Sequence, residues 1–283
     1  MTQRVLILGA GGLLGRALRR TAPAGVELHC PTREDLPLDD LDRLGRRLRE
    51  QPVDRLFLLA AWTRVDDCES DPERAFRING ILPGRIANLA ERRGLPLVFV
   101  STDYVFSGAA VAPYREFDRI EPVNLYGRSK AYGEGAVREA SRAARIVRTS
   151  GLYGEGGPDF VASIRRALSA GGPLRVVADQ ITAPTWVDDL ARALWVVGLG
   201  DEAGTFHLSA AGELSWCDFA REIARASGED PERITPITAA ESGRAAARPA
   251  YSVLSGQRAR EIFGLSLPET RDALRAFLVG TGA

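Results

Sequence analysis

Through its first 150 residues the chain alternates short, continuous apolar runs with longer stretches in which apolar residues recur every third or fourth position. The continuous runs, at 4–8, 26–30, 56–60, 97–101 and 145–149, are rich in Val, Ile, Leu and Phe and predict strands buried on both faces. The periodic stretches, at 13–20, 41–49, 73–93 and 126–139, predict helices. Buried strands separated by helices imply a doubly wound parallel α/β sheet with right-handed crossovers. Beyond residue 150 the rhythm loosens: helices are predicted at 160–168, 187–197, 216–226 and 269–278, with short strands near Val176 and Phe206. The segment 249–268 is dominated by turn signals, and the Ala-rich tract at 239–250 reads as a loop or short helix. The expected division is a dinucleotide-binding domain over 1–150 and mainly a substrate-binding lobe over 151–283, with segments near 175–210 able to rejoin the main sheet.

Composition narrows the function without choosing it. Of 283 residues, 45% are hydrophobic and 26% charged, and the formal net charge is zero, so neither nucleic acid nor a membrane surface is expected as a partner. No run approaches the roughly 18 apolar residues of a membrane span. The chain enters its first strand without a signal-type segment, and a cytoplasmic protein is expected. Cys30, Cys68 and Cys217 are too scattered for zinc or a disulfide framework, and no set of carboxylates calls for a metal. The two histidines, His29 and His207, fall within predicted strands and read as structural. Dimerisation through surface helices is left open.

Between the first strand and the first helix lies Gly9-Ala10-Gly11-Gly12-Leu13-Leu14-Gly15. Glycines at 9, 12 and 15 permit a tight turn, close approach to a pyrophosphate and close helix packing, which is the dinucleotide-binding pattern of a Rossmann domain. After the second strand comes Pro31-Thr32-Arg33-Glu34; an arginine there suits a 2′-phosphate, which favours NADPH, with NADH left open.

Lys130 is the only lysine among 37 basic residues, and it follows Tyr126 by four positions. On a helix that spacing puts phenol and ammonium on one face, and arginine cannot replace a compact, mobile ammonium. Upstream, Ser101-Thr102-Asp103 falls at the end of the fourth strand, where α/β proteins place ligand-contacting groups. A hydroxyl and a carboxylate beside a proton-donating tyrosine suit carbonyl reduction. The phenol's ordinary pKa near 10 is expected to be lowered by the ammonium and by an oxidised nicotinamide.

Together with Ala60–Asp66, Arg148–Ser150, Asp179–Thr185 and Arg248-Pro249, these motifs resemble the extended short-chain dehydrogenase/reductase family across nearly the whole chain. The likeness is strongest to its branch acting on dTDP-linked 4-keto sugars. The resemblance implies reduction of dTDP-4-dehydro-6-deoxy-L-mannose to dTDP-L-rhamnose by NAD(P)H. In that scheme Tyr126 donates the proton, Lys130 binds the nicotinamide ribose and Thr102 stabilises the oxyanion. It implies that Gly9, Gly12, Leu13, Leu14, Gly15, Thr32, Arg33, Leu38, Ala60, Ala61, Trp62, Thr63 and Ser101 meet the cofactor, and that Val65, Asp103 and Gly151 meet the sugar. Three departures from the family pattern stand out: Gly151 where a tryptophan is common, Leu36–Asp40 near the adenine, and Leu58-Leu59-Ala60-Ala61. The alternatives are reduction or epimerisation of another nucleotide-linked 4-keto sugar, which Gly151 keeps in play, and a non-catalytic NADP-binding regulatory subunit, a role that some relatives fill.

Overall fold

The computed structural model of the chain describes residues 2–280. The strands are β1 (Gln3–Leu8), β2 (Val26–His29), β3 (Arg55–Leu58), β4 (Leu97–Thr102), β5 (Arg145–Thr149), β6 (Leu152–Tyr153), β7 (Leu174–Val177), β8 (Ile181–Thr182), β9 (Thr185–Trp186), β10 (Gly204–His207), β11 (Leu214–Ser215) and β12 (Ile234–Ile237). The helices are α1 (Leu13–Arg20), α2 (Leu41–Glu50), α3 (Val65–Ser70), α4 (Pro72–Phe76), α5 (Leu82–Glu91), α6 (Leu125–Ala140), α7 (Phe160–Ser169), α8 (Val187–Leu199), α9 (Trp216–Ala226), α10 (Gln257–Phe263) and α11 (Thr270–Gly280).

Among the described residues, six strands form one parallel sheet in the order β10-β5-β4-β3-β1-β2. Its central strands carry continuous apolar runs because both faces are covered: Val5 and Ile7 of β1 enter one core, with α1 and α8, while Leu6 and Leu8 enter the other, with α2, α5 and α6. Each such side chain contributes about 1.5–3 kcal/mol on burial. Because β2 and β3 lie on opposite sides of β1, the winding reverses there, and a crevice is expected at the carboxyl ends of β1 and β3.

Of the two C-terminal segments that the sequence left able to rejoin the main sheet, one does so. β10, around Phe206, joins the main sheet beside β5, whereas β7, around Val176, pairs instead with β12 in a separate two-stranded sheet. The helix α8 packs on α1, so the second half is interleaved with the nucleotide-binding half. The remaining C-terminal elements gather around a core of Tyr153, Ile164, Phe219 and Phe277. A difference from the sequence expectation is that the helix expected at 73–93 is α4 and α5 joined by a π-helical turn, Arg77–Ile81, preceded by the unanticipated α3. No helix among the described residues is long and apolar enough to cross a membrane.

Candidate active site

β4 ends at Thr102, where the chain enters a 3₁₀ turn, Asp103–Val105. The Thr102 hydroxyl accepts from the Tyr104 amide at 3.2 Å and donates to Asp103 Oδ1 at 3.0 Å. Burial pushes the Asp103 carboxyl up to about 7, with the nearby Ser252 and Thr102 hydroxyls opposing the shift more weakly. Its Oδ2 has no partner among the described residues.

The helix α6 opens with Asn124, whose side chain accepts from Gly127 N–H at 2.7 Å, and the Leu125 amide donates to Glu69 at 2.8 Å. These two contacts fix the first turn, which carries Tyr126. Its buried face continues through Ser129, Lys130, Gly133, Glu134 and Val137. Lys130 is 2% exposed, with Nζ donating to Val100 O at 2.7 Å and lying 4.1 Å over the Phe99 ring. Burial pulls its ammonium down to about 7, partly opposed by the charge of Glu134. The Tyr126 phenol is pushed well above its ordinary range, first by burial, although Thr102 beside it favours ionisation and Asp103 opposes it. Desolvation of the phenolate is the largest influence on this group, whereas the expected lowering was assigned to an oxidised nicotinamide together with the ammonium.

Tyr126, Thr102 and Asp103 face a cleft of about 290 Å³ that also includes Thr63, Val65 and Gly151. Its far wall is made of Phe160, Gln180, Thr182, Trp216, Pro249 and Ser252. Gln180 Oε1 and Thr182 Oγ1 are buried and, like Asp103 Oδ2, have no partner among the described residues. Buried polar atoms left unpaired are costly, so a cleft carrying three of them is built for a polar ligand.

At the carboxyl ends of β1 and β3, Gly9 has φ +98°, and a Cβ on it would stand 2.6 Å from Ala60 N. One on Gly15 would stand 2.4 Å from Gly9 O. The turn is therefore bare backbone at the crevice, and α1 starts at Gly12 without a side-chain cap, leaving its first amides for an anion. Leu14 is buried under this turn and Leu13 half-buried. Ser101 Oγ is buried and unpartnered among the described residues. These features fit a dinucleotide. Ala60, Ala61 and Trp62 follow β3 on the same side of the sheet, whereas Thr32, Arg33 and Leu38 lie beyond β2, away from the cleft. There the Thr32 hydroxyl and amide are tied to Asp35, Arg33 is exposed, and Leu38 packs against the α2 side of the core. Larger, open depressions of about 620 and 520 Å³ flank β2, lined by Arg43, Arg46 and Arg47 and by Arg16, Arg19 and Arg20. They contain none of the cleft's unpaired acceptors, so size alone does not mark the chemistry.

The family model described as the RmlD substrate binding domain matches residues 3–281. This chain belongs to the RmlD family. It is similar to the dTDP-4-dehydrorhamnose reductase of Mycolicibacterium smegmatis, with 40% identity over 97% of this chain and 85% of that protein. It also resembles the spore coat polysaccharide biosynthesis protein SpsK of Bacillus subtilis, with 39% identity over 97% and 96% of the two chains. Among solved structures it matches a Bacillus anthracis dTDP-4-dehydrorhamnose reductase in complex with NADP. That match has a TM-score of 0.95 and 33% identity, covering 99% of this chain and 100% of that one.

In this RmlD-family chain, residues that the sequence did not single out, Asn79 and Glu134, join motif residues in holding the site together. Asn79, in the π-turn, binds both the Trp62 backbone and Ser129. Arg248 grips Asp66 with two nitrogens, at 2.8 and 2.7 Å, and Asp66 also accepts from the Ala246 amide. Deeper in the sheet, Arg148 binds Glu134 at 2.9 and 2.7 Å and meets His207 Nε2 at 3.2 Å. Because a carbonyl can only accept, the contact of His207 Nδ1 with Tyr114 O places the proton on Nδ1 and leaves Nε2 to accept from Arg148. Burial pulls this histidine down to about 3, so it is a neutral structural group.

Proposed function

We propose that the chain reduces the C4 carbonyl of dTDP-4-dehydro-6-deoxy-L-mannose to give dTDP-L-rhamnose, with NADPH as reductant. The observation that carries this reading is the bare glycine turn at the end of β1 lying on the same edge of the sheet as a polar cleft containing Thr102, Asp103 and Tyr126. When bound, the dinucleotide supplies the hydride. The first amides of α1, at Leu13 and Leu14, hold its pyrophosphate, Thr32 and Arg33 meet the 2′-phosphate, and Ser101 and Lys130 face the nicotinamide ribose. One of the three Lys130 donors goes to Val100 O, leaving two for ribose hydroxyls.

Tyr126 delivers the proton that the nascent alkoxide takes up. A phenol is protonated at neutral pH and burial raises its pKa further, so the donor is always loaded. Thr102 turns its single proton from Asp103 to the sugar oxygen. Asp103 Oδ2 accepts from a sugar hydroxyl. The same reading places the protein in the cytoplasm with its two small-molecule substrates.

The test is to mix the protein with NADPH and the 4-keto sugar nucleotide, follow the loss of NADPH absorbance, and identify the product by NMR. Stoichiometric formation of dTDP-L-rhamnose is expected. Steady NADPH, or a product with the opposite C4 configuration, would overturn the assignment.

A further inference from the structure

The roles proposed so far leave the aromatic wall of the cleft unused. Gly151, just after β5, has φ +52°, and a Cβ on it would stand 3.0 Å from Pro184 Cα and 3.3 Å from the Trp216 ring. A Cβ at 151 would press on that indole, so a large side chain there would compete with Trp216 for space. Trp216 is the first residue of α9, whose cap, Ser215, accepts from the Asp218 amide at 2.9 Å. The indole packs on Phe160 with ring centroids 4.7 Å apart and on Phe219 at 6.3 Å. It is half-buried: anchored on these rings, it also borders the cleft.

We propose that Trp216 is a sugar-recognition residue, whose indole takes the apolar C5–C6 edge of the 6-deoxyhexose and thereby fixes which ring face turns to Tyr126. The proposal rests on the function given above. A carbonyl reduced beside Tyr126 and Thr102 requires the sugar ring itself in this cleft, and about 290 Å³ leaves no room for the whole nucleotide. The cleft's surfaces are sorted to match such a ring. Asp103 Oδ2, Gln180 Oε1 and Thr182 Oγ1 offer unpaired polar atoms for its hydroxyls, while Trp216 and Phe160 offer the apolar surface. Aromatic faces take up C–H edges of a ring in preference to its hydroxyls. Gly151, lacking a side chain, keeps the indole's position clear.

The test compares wild-type protein, Trp216→Ala and Trp216→Phe, each saturated with NADP, by calorimetric titration with dTDP-L-rhamnose and, separately, with dTDP. Trp216→Ala is expected to weaken dTDP-L-rhamnose about tenfold or more, as truncation of an aromatic anchor does, while leaving dTDP nearly unchanged. Trp216→Phe is expected to retain most of the affinity, which separates loss of the aromatic face from a damaged fold. Equal weakening of both ligands, or no change in either, overturns the role of Trp216. A wild-type protein that binds dTDP but not dTDP-L-rhamnose overturns the proposed function itself, and Trp216 with it.

Discussion

Asn79 satisfies both backbone groups of Trp62 with one side chain, accepting from its N–H at 2.8 Å and donating to its carbonyl at 2.9 Å. The same amide donates to Ser129 Oγ at 3.1 Å, and Ser129 in turn donates to the Tyr126 carbonyl at 2.7 Å. The segment after β3 and the helix bearing Tyr126 are thus held by one residue, presented by a π-turn that inserts an extra residue into the helical ladder. Asn79→Ala leaves the Trp62 N–H unpaired and its carbonyl with only the long 3.9 Å contact from Cys68 Sγ, at about 1–3 kcal/mol for each partner lost. The expected outcome is a lower melting temperature together with weaker NADPH binding, measured by fluorescence titration. A change in melting temperature alone would mean that Asn79 does not shape the cofactor side.

Tyr126→Phe keeps the ring and removes the proton. It is expected to lower kcat by about 10²–10⁴-fold while leaving the NADPH dissociation constant close to wild type. Retention of turnover would remove Tyr126 from the mechanism.

Lys130→Arg preserves charge but not shape. With Val100 O at 2.7 Å and the Phe99 ring at 4.1 Å, a forked guanidinium has no space. Steady-state kinetics are expected to show a loss of kcat/KM comparable with Lys130→Met, about 10²-fold or more. Full activity in the arginine variant would show that only charge matters there.

The Asp103 carboxyl, ordinarily near 3.8, is raised to about 7 in the folded protein. The folded state therefore holds this proton more tightly than the unfolded chain does. The stability it contributes is complete below about pH 3.8 and is lost as pH rises through 7. Lys130, shifted the other way, titrates in the same window in both proteins and cancels in a comparison with Asp103→Asn. Thermal melts between about pH 5 and pH 8 should show wild-type stability falling relative to the asparagine variant, each pKa unit being worth about 1.4 kcal/mol. Parallel curves would show that the carboxylate is solvated.

Arg248 straps the segment leading to Pro249 and Ser252 onto α3 through Asp66, and Asn124 adds a bond of 2.7 Å to Ala247 O. Arg248→Lys cannot reproduce the two-pronged contact. The Asp66 side chain is 43% exposed, so solvent screening keeps the stability loss to about 1 kcal/mol. The larger expected effect is a several-fold rise in KM for the nucleotide sugar at nearly constant kcat. An unchanged KM would show that the strap does not shape the far wall.

The nucleotide-binding half was legible because its strands are buried on both faces and so carry unbroken apolar runs, as Val5–Leu8 and Leu97–Phe99 do. The glycine turn and the Tyr126–Lys130 spacing were legible because chemistry restricts those positions to few residue types. The π-turn at Arg77–Ile81 was not, since a shift of one residue in the hydrogen-bond ladder leaves no mark on hydrophobic periodicity. Nor was the pairing of β7 with β12, because two four-residue strands carry too little pattern to name a partner. The direction of the Tyr126 shift depends on burial supplied by distant segments. Trp216 read only as an apolar helix position, because its closeness to Gly151 joins residues 65 positions apart in the chain.

The burial of Lys130 has a practical consequence. Since it is the chain's single lysine and 2% exposed, amine-selective acylating reagents meet no accessible side-chain target in the native molecule. Any labelled Lys130 peptide found by mass spectrometry then records an opening of this one region, giving a built-in, residue-specific clock for breathing of the protein without an engineered probe.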